Sequence, residues 1–198
     1  MSFLEKVAAA MSPRESEPTR RRARTNAQRL AGVNDWLELV LEHHVKIEDA
    51  FTAVKAAQEP EQRVVALRRL CVLLNAHSNA EESVIYPALV RFGHKSEGMA
   101  GYSEQAHAKA SMAELEYLDP MSDRFLDSLE HTRAAVAHHM YKEESTRFLD
   151  LRQLTAQDQD RLTRRFQEEF ERYMSESAPA EPVTAAGDRE GSPPTAAH

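Results

Sequence analysis

The sequence predicts an all-α fold, an up-down-up-down four-helix bundle with an additional C-terminal helix. Three observations carry this expectation. Glycine and proline gather at a few points and leave long uninterrupted stretches between them. Within those stretches apolar residues recur in steps of three and four. No run shows the alternation of a strand.

Asn34 or Asp35 caps a first helix that runs to about Gln58, where Glu59-Pro60 breaks it and Pro60 opens the second. The second helix continues to about Phe92, and Gly93, Gly98 and Gly101 then read as a loop. A third helix spans about Ser103 to Leu118, ending at Asp119-Pro120. Ser122 caps a fourth that reaches about Asp150, and Thr155 with Asp158 starts a fifth, ending near Met174. Residues 1–29 show little periodicity and are read as a disordered basic leader. Residues 30–176 form the helical bundle, and 177–198, rich in Pro, Ala, Gly and Ser, form a disordered acidic tail.

The chain has 198 residues, near the size of one domain, with 41% hydrophobic and 29% charged residues. That is enough apolar material for a core, and with a mean hydropathy of −0.60 no run is long enough to span a bilayer. No secretion signal is visible, and one cysteine, Cys71, leaves no intrachain disulfide, so a cytoplasmic, reducing location is expected. Cys71 reads as packing; it also leaves His and carboxylate to bind any metal. Charge is uneven: residues 1–29 carry +4 (seven basic, three acidic), 175–198 carry −3, and −8 remains for the body. An acidic body makes nucleic acid an unexpected partner, since a phosphate-binding surface needs a basic face. Only Arg20, Arg21, Arg22 and Arg24 offer a basic arm.

In bundles of this kind cofactors are gripped by side chains of facing helices, so the inward polar residues are the informative ones. The first stripe contains Leu37, Val40 or Leu41, His44, Ile47, Phe51 and Val54. The second contains Leu67, Leu70 or Cys71, Leu74, His77, Glu81, Val84 or Ile85 and Leu89. The third helix places His107, Ser111, Leu115 and Leu118 on one face, with Glu104 and Glu114 at its edge. The fourth places Phe125, Leu129, Thr132, Val136, His139 and Glu143. His77 with Glu81, and His139 with Glu143, sit one turn apart and aim the same way.

Carboxylates buried among histidines carry a desolvation cost of several kcal/mol and repel one another unless cations intervene. One His, HxxxE, one His, HxxxE supplies six nitrogen and oxygen donors, a set suited to iron, manganese or zinc, with carboxylates able to bridge two ions.

The stretches LEHHVKIEDAF, LNAHSNAEESVIYPAL, SEQAHAKASMAEL and VAHHMYKEES carry this order on four helices. In this the sequence resembles the hemerythrin-like family, also called HHE cation-binding proteins, four-helix bundles with a non-haem di-iron centre. The resemblance implies that His44, His77, His107 and His139 are terminal ligands and that Glu81 and Glu143 are bridging carboxylates. Pro87 also matches the family. Iron is the metal so implied, with manganese and zinc as weaker alternatives.

His43 and His138 neighbour the chosen histidines but fall off the stripe, and Glu144 is the alternative to Glu143, because the oxygen carriers of the family use the wider spacing. Those carriers also have a second histidine on the third helix, where this chain has Ser111. Glu104, Glu114, a nearby tyrosine or water would fill that position, and an open coordination position favours chemistry on an exogenous ligand over reversible carriage. The expected function is therefore binding of O2, peroxide or NO, with peroxide decomposition as a candidate activity. The alternative is an iron or oxygen sensor whose fold responds to metal occupancy. The sequence identifies no protein partner.

Overall fold

The computed structural model describes residues 15–177, and every regular element within them is helical. Helix α1 spans Glu17–Leu30, α2 Trp36–Ala56, α3 Pro60–Ala80, α4 Tyr86–Arg91, α5 Lys95–Leu115, α6 Asp123–Lys142 and α7 Ala156–Glu176. A π-turn, Glu81–Ile85, joins α3 to α4; a second, Glu143–Arg147, prolongs α6; and a 3-10 turn, Leu149–Gln153, leads to α7. The four-helix bundle consists of α2, α3 with α4, α5 and α6, joined by short connections. Outside it, α7 packs along α2 and α3, and α1 packs against α2 and the end of α6.

The expected starts of α2, α3, α6 and α7 are where the caps place them. Asp35 Oδ1 accepts the Glu38 N–H at 3.0 Å, Ser122 Oγ that of Phe125 at 3.2 Å, and Thr155 Oγ1 that of Asp158 at 3.2 Å. Pro60 occupies the first turn of α3, where its missing N–H costs nothing.

Two expectations are corrected. The reading of 1–29 as disordered fails over Glu17–Leu30, which is helical. Ala23 and Ala27 of this helix are buried on the bundle, and Arg24 forms ion pairs with Glu48 and Glu144. Residues 1–14 and 178–198, where the remaining leader and tail expectations fall, lie outside the described residues. The glycine loop is also shorter than expected. Gly98 and Gly101 lie inside α5, where the missing side chain is a packing requirement: a Cβ at Gly101 would stand 2.7 Å from Cζ of Tyr86.

Two apolar clusters fill the interior. One gathers Trp36, Val40, Leu41, Ala80, Ile85, Tyr86, Leu89, Phe148 and Phe166; the other gathers Ile47, Phe51, Leu74, Ala108, Met112, Phe125, Leu129 and Met140. Along α2, α3 and α6 the chain passes from one cluster to the other through His44, through His77 with Glu81, and through His139 with Glu143. A polar layer therefore lies between two apolar ones. No helix among the described residues is long and apolar enough to cross a membrane.

Candidate metal centre

The two HxxxE pairs are parts of one repeated unit. HSNAEESVIY and HMYKEESTRF share HxxxEES, and in both the π-turn begins at the inward glutamate. The Tyr86 N–H bonds to the Glu81 carbonyl, and the Phe148 N–H to that of Glu143 at 3.2 Å, so each turn is closed by a bond spanning five residues. In an α-helix, residues five apart point about 140° away from each other. The π-turn narrows that angle and returns the Tyr86 ring to the face that carries Glu81.

His44, His77, Glu81 and Glu143 are all buried, and one donor atom from each lies within 4.8 Å of the others. His77 Nε2 is 3.3 Å from Glu81 Oε1, and His44 Nε2 is 3.4 Å from Glu143 Oε2. None of these four atoms has a hydrogen-bond partner among the described residues. Buried polar atoms are nearly always satisfied, so four orphaned together, two imidazole nitrogens and two carboxylate oxygens, make a donor set that fits a cation.

The other oxygens of the same two carboxylates face a second group. The Tyr86 hydroxyl donates to Glu143 Oε1 at 2.8 Å and lies 3.2 Å from both Glu81 Oε2 and His139 Nε2, while His139 Nε2 is 3.1 Å from Glu143 Oε1. Gln105 donates from Nε2 to Glu81 Oε2. Each carboxylate thus turns one oxygen to the cluster of His44 and His77 and the other to Tyr86, where Glu143 also meets His139.

Behind two of the histidines stands a carboxylate held by an arginine. His44 Nδ1 is 2.9 Å from Glu144 Oε1, and His139 Nδ1 is 2.7 Å from Glu104 Oε2. Arg24 holds Glu144, and Arg147 grips Glu104 through both terminal nitrogens at 2.6 and 2.7 Å. A ring donating from Nδ1 to a carboxylate keeps its Nε2 lone pair for a ligand role. His77 lacks such a partner; its ring meets those of His43 and His44 edge-on, at 5.7 and 5.0 Å.

Electrostatics follow this arrangement. Burial opposes a charge on His44, yet Glu143 and Glu144 outweigh it and push the ring up to about 9. His139 is pushed up to about 10, its burial overcome by Glu143 and Glu104. Burial and the Glu143 charge raise Glu81 to about 8; Glu143, despite its burial, is held low by His139 and His44. Burial and the charges of His44 and His43 hold His77 well below its ordinary value. Against burial, Arg147 and His139 hold Glu104 down at about 2. In the metal-free protein, protons on His44, His139 and Glu81 balance charge that cations would otherwise balance.

The sequence reading placed His107 here, and the structure does not. His107 is exposed, its Nδ1 3.1 Å from the Ser103 carbonyl. The inward face of α5 is Gly98, Gly101, Gln105, Ala108, Met112 and Leu115, so Gln105 reaches the site instead. The glycines and the glutamine in its first half interrupt the apolar stripe that continues through Ala108, Met112 and Leu115, and so obscured its phase. His44, His77, Glu81, His139 and Glu143 are brought together as expected. Of the neighbouring alternatives, His43 stacks on Phe170 at 3.9 Å, and His138 turns to Glu15 at 3.0 Å. Glu144 stands behind His44, on the side away from Glu143. Tyr86, Gln105, Arg24 and Arg147 were missed; the signal for Tyr86 was its position in the repeated unit, where the other copy has Phe148.

Comparison with known proteins agrees with the site. The family described as the hemerythrin HHE cation-binding domain matches residues 35–151. A DNA nickase of Nostoc sp. strain PCC 7120 is 27% identical over 116 residues, 59% of this chain and 33% of that protein, so the chain spans about a third of the relative's length. No solved structure gives a significant match.

Proposed function

The chain belongs to the hemerythrin family of HHE cation-binding domains, and on that premise we propose that it holds two iron ions and binds dioxygen, peroxide or nitric oxide there, decomposing peroxide. The observation that carries this reading is the placement of Glu81 and Glu143, each offering one oxygen to either half of the polar layer. Two carboxylates with both oxygens so placed suit a pair of cations. His44 and His77 would hold one ion and His139 with Tyr86 the other, both sharing Glu81 and Glu143. When bound, the iron pair supplies two-electron redox capacity. The balance, two peroxides to one dioxygen and two waters, needs no external reductant.

The chain's own residues prepare the site for that chemistry. The apolar clusters above and below the polar layer exclude bulk water. Gln105 donates to the outer oxygen of Glu81 and so fixes the orientation of that carboxylate towards the ions. The Tyr86 hydroxyl lies between both carboxylates, within reach of an outer oxygen of each, and so holds the two in one orientation.

A second reading, an iron or oxygen sensor, draws on the four orphaned atoms, because a site this poorly satisfied without cations ties fold stability to occupancy. Nicking of DNA is not carried over from the Nostoc protein, given the third of its length that is matched and the acidic body here. The deciding experiment is metal content by plasma emission on protein from iron-supplemented cells, followed by peroxide consumption. Two irons per chain with turnover support the first reading. Two irons without turnover, and helix content that falls on chelation, support the second.

A further inference from the structure

We propose that Arg24 is a positioning residue of the metal centre, supplied by a helix outside the segment that the family matches. Helix α1 ends at Leu30, and the match begins at residue 35. This inference rests on the metal-site reading above and deepens it.

The geometry is a chain of three groups. Arg24 Nε donates to Glu144 Oε1 at 2.8 Å, and the same oxygen is 2.9 Å from His44 Nδ1. The guanidinium is itself fixed from the far side by Glu48, through Nη1 at 2.7 Å and Nη2 at 3.2 Å. Glu144 is 1% exposed, so its charge has little solvation apart from these partners. Without Arg24 the carboxylate would face His44 alone, and a buried carboxylate that loses one of two partners turns towards other donors or water. That turn removes the acceptor that fixes the His44 ring with Nε2 turned to Glu143. Arg147, Glu104 and His139 form the matching set at the other half, but all three lie within the matched segment. Among the described residues, only at His44 does the ligand depend on an element added from outside it.

The test uses the full chain and cobalt(II) as probe, titrated into metal-free protein and followed by visible absorption and calorimetry, with far-UV circular dichroism to check the helix content. Arg24→Gln is expected to weaken the affected cobalt by about tenfold or more, in the range usual for groups that orient a metal ligand. Arg24→Lys should restore most of that loss. Because Arg24 acts through Glu144, Arg24→Gln should add nothing in a Glu144→Gln background. Equal affinity in Arg24→Gln and wild type would overturn the proposal, as would an equal fall in both backgrounds, which marks a merely structural role. Should Arg24→Gln fail to fold, Glu144→Gln decides alone: wild-type affinity there defeats the proposal. If wild-type protein binds no cobalt, the metal-site reading itself fails and takes the proposal with it.

Discussion

Gly101 and Tyr86 meet with no space for a methyl group between them, since a Cβ at position 101 would stand 2.7 Å from Cζ of the ring. The hydroxyl on that carbon meets Glu81, Glu143 and His139. A helix glycine thereby sets the position of a side chain in the candidate metal centre.

Gly101→Ala should push the Tyr86 ring away from the carboxylates and lower stability by about 1–3 kcal/mol, the usual cost of overpacking. Iron should fall from two per chain towards one. Tyr86→Phe, which removes the hydroxyl without crowding the helix, should show the iron loss with little change in stability. Thermal denaturation with plasma emission reads both, and full iron in both variants would remove Tyr86 from the ligand set.

His107→Ala should leave metal content unchanged, because the ring is exposed and bonds only to its own helix. His77→Ala should lose most of it, as the atom removed is one of the four without another partner. Parallel metal analysis of the two variants checks the assignment of α5, and loss of metal in His107→Ala would contradict it.

The metal-free protein should lose stability in alkali. His44 and His139, at about 9 and 10 against an ordinary 6.5, bind protons in the folded chain that the unfolded chain has released. Their contribution is complete below pH 6.5 and is lost as pH rises through 9 to 10. Glu81, raised from 4.5 to about 8, acts in the same direction between those values. Melting temperature without metal should therefore fall between pH 6.5 and 10, and the iron-loaded protein should fall less, since cations replace those protons. A melting temperature for the stripped protein that stays level or climbs across that range would contradict the electrostatic account.

Phe166→Ala should cost about 3–5 kcal/mol, the range for a fully buried aromatic. Phe166 is completely buried in the cluster above the polar layer and stacks on His43 at a centroid distance of 5.6 Å. Chemical denaturation measures the change; a loss under 1 kcal/mol would mean that α7 is dispensable to the bundle.

What could be read from the sequence was local, and what could not depended on partners far along the chain. Asp35, Pro60, Ser122 and Thr155 announce their helices through bonds that reach three residues or through a fixed backbone angle. The pairs His77 with Glu81 and His139 with Glu143 follow from one turn of helix. Helix α1 does not, because its buried face is only Ala23 and Ala27, and Arg24 finds Glu144 120 residues away. A nearby tyrosine was expected without a number, and only the π-turn, shared by both copies of HxxxEES, shows that Tyr86 is the one turned inward. On α5 the histidine was the most conspicuous residue and the wrong one, while the inward glutamine lay two positions before it.

The span from Arg24 to Glu144 also orders events during synthesis. The arginine leaves the ribosome early, but its acceptor is translated 120 residues later, after His44, His77 and Glu81 have already emerged. A nascent chain with α2 and α3 complete would expose imidazoles and a carboxylate to the cell's metal pool without the groups that complete their geometry. A metal ion captured then would sit in an open, half-built pocket that lacks His139 and Glu143. The long reach in sequence from Arg24 to Glu144 therefore leaves the site incomplete until the segment carrying His139, Glu143 and Glu144 has folded onto α2 and α3.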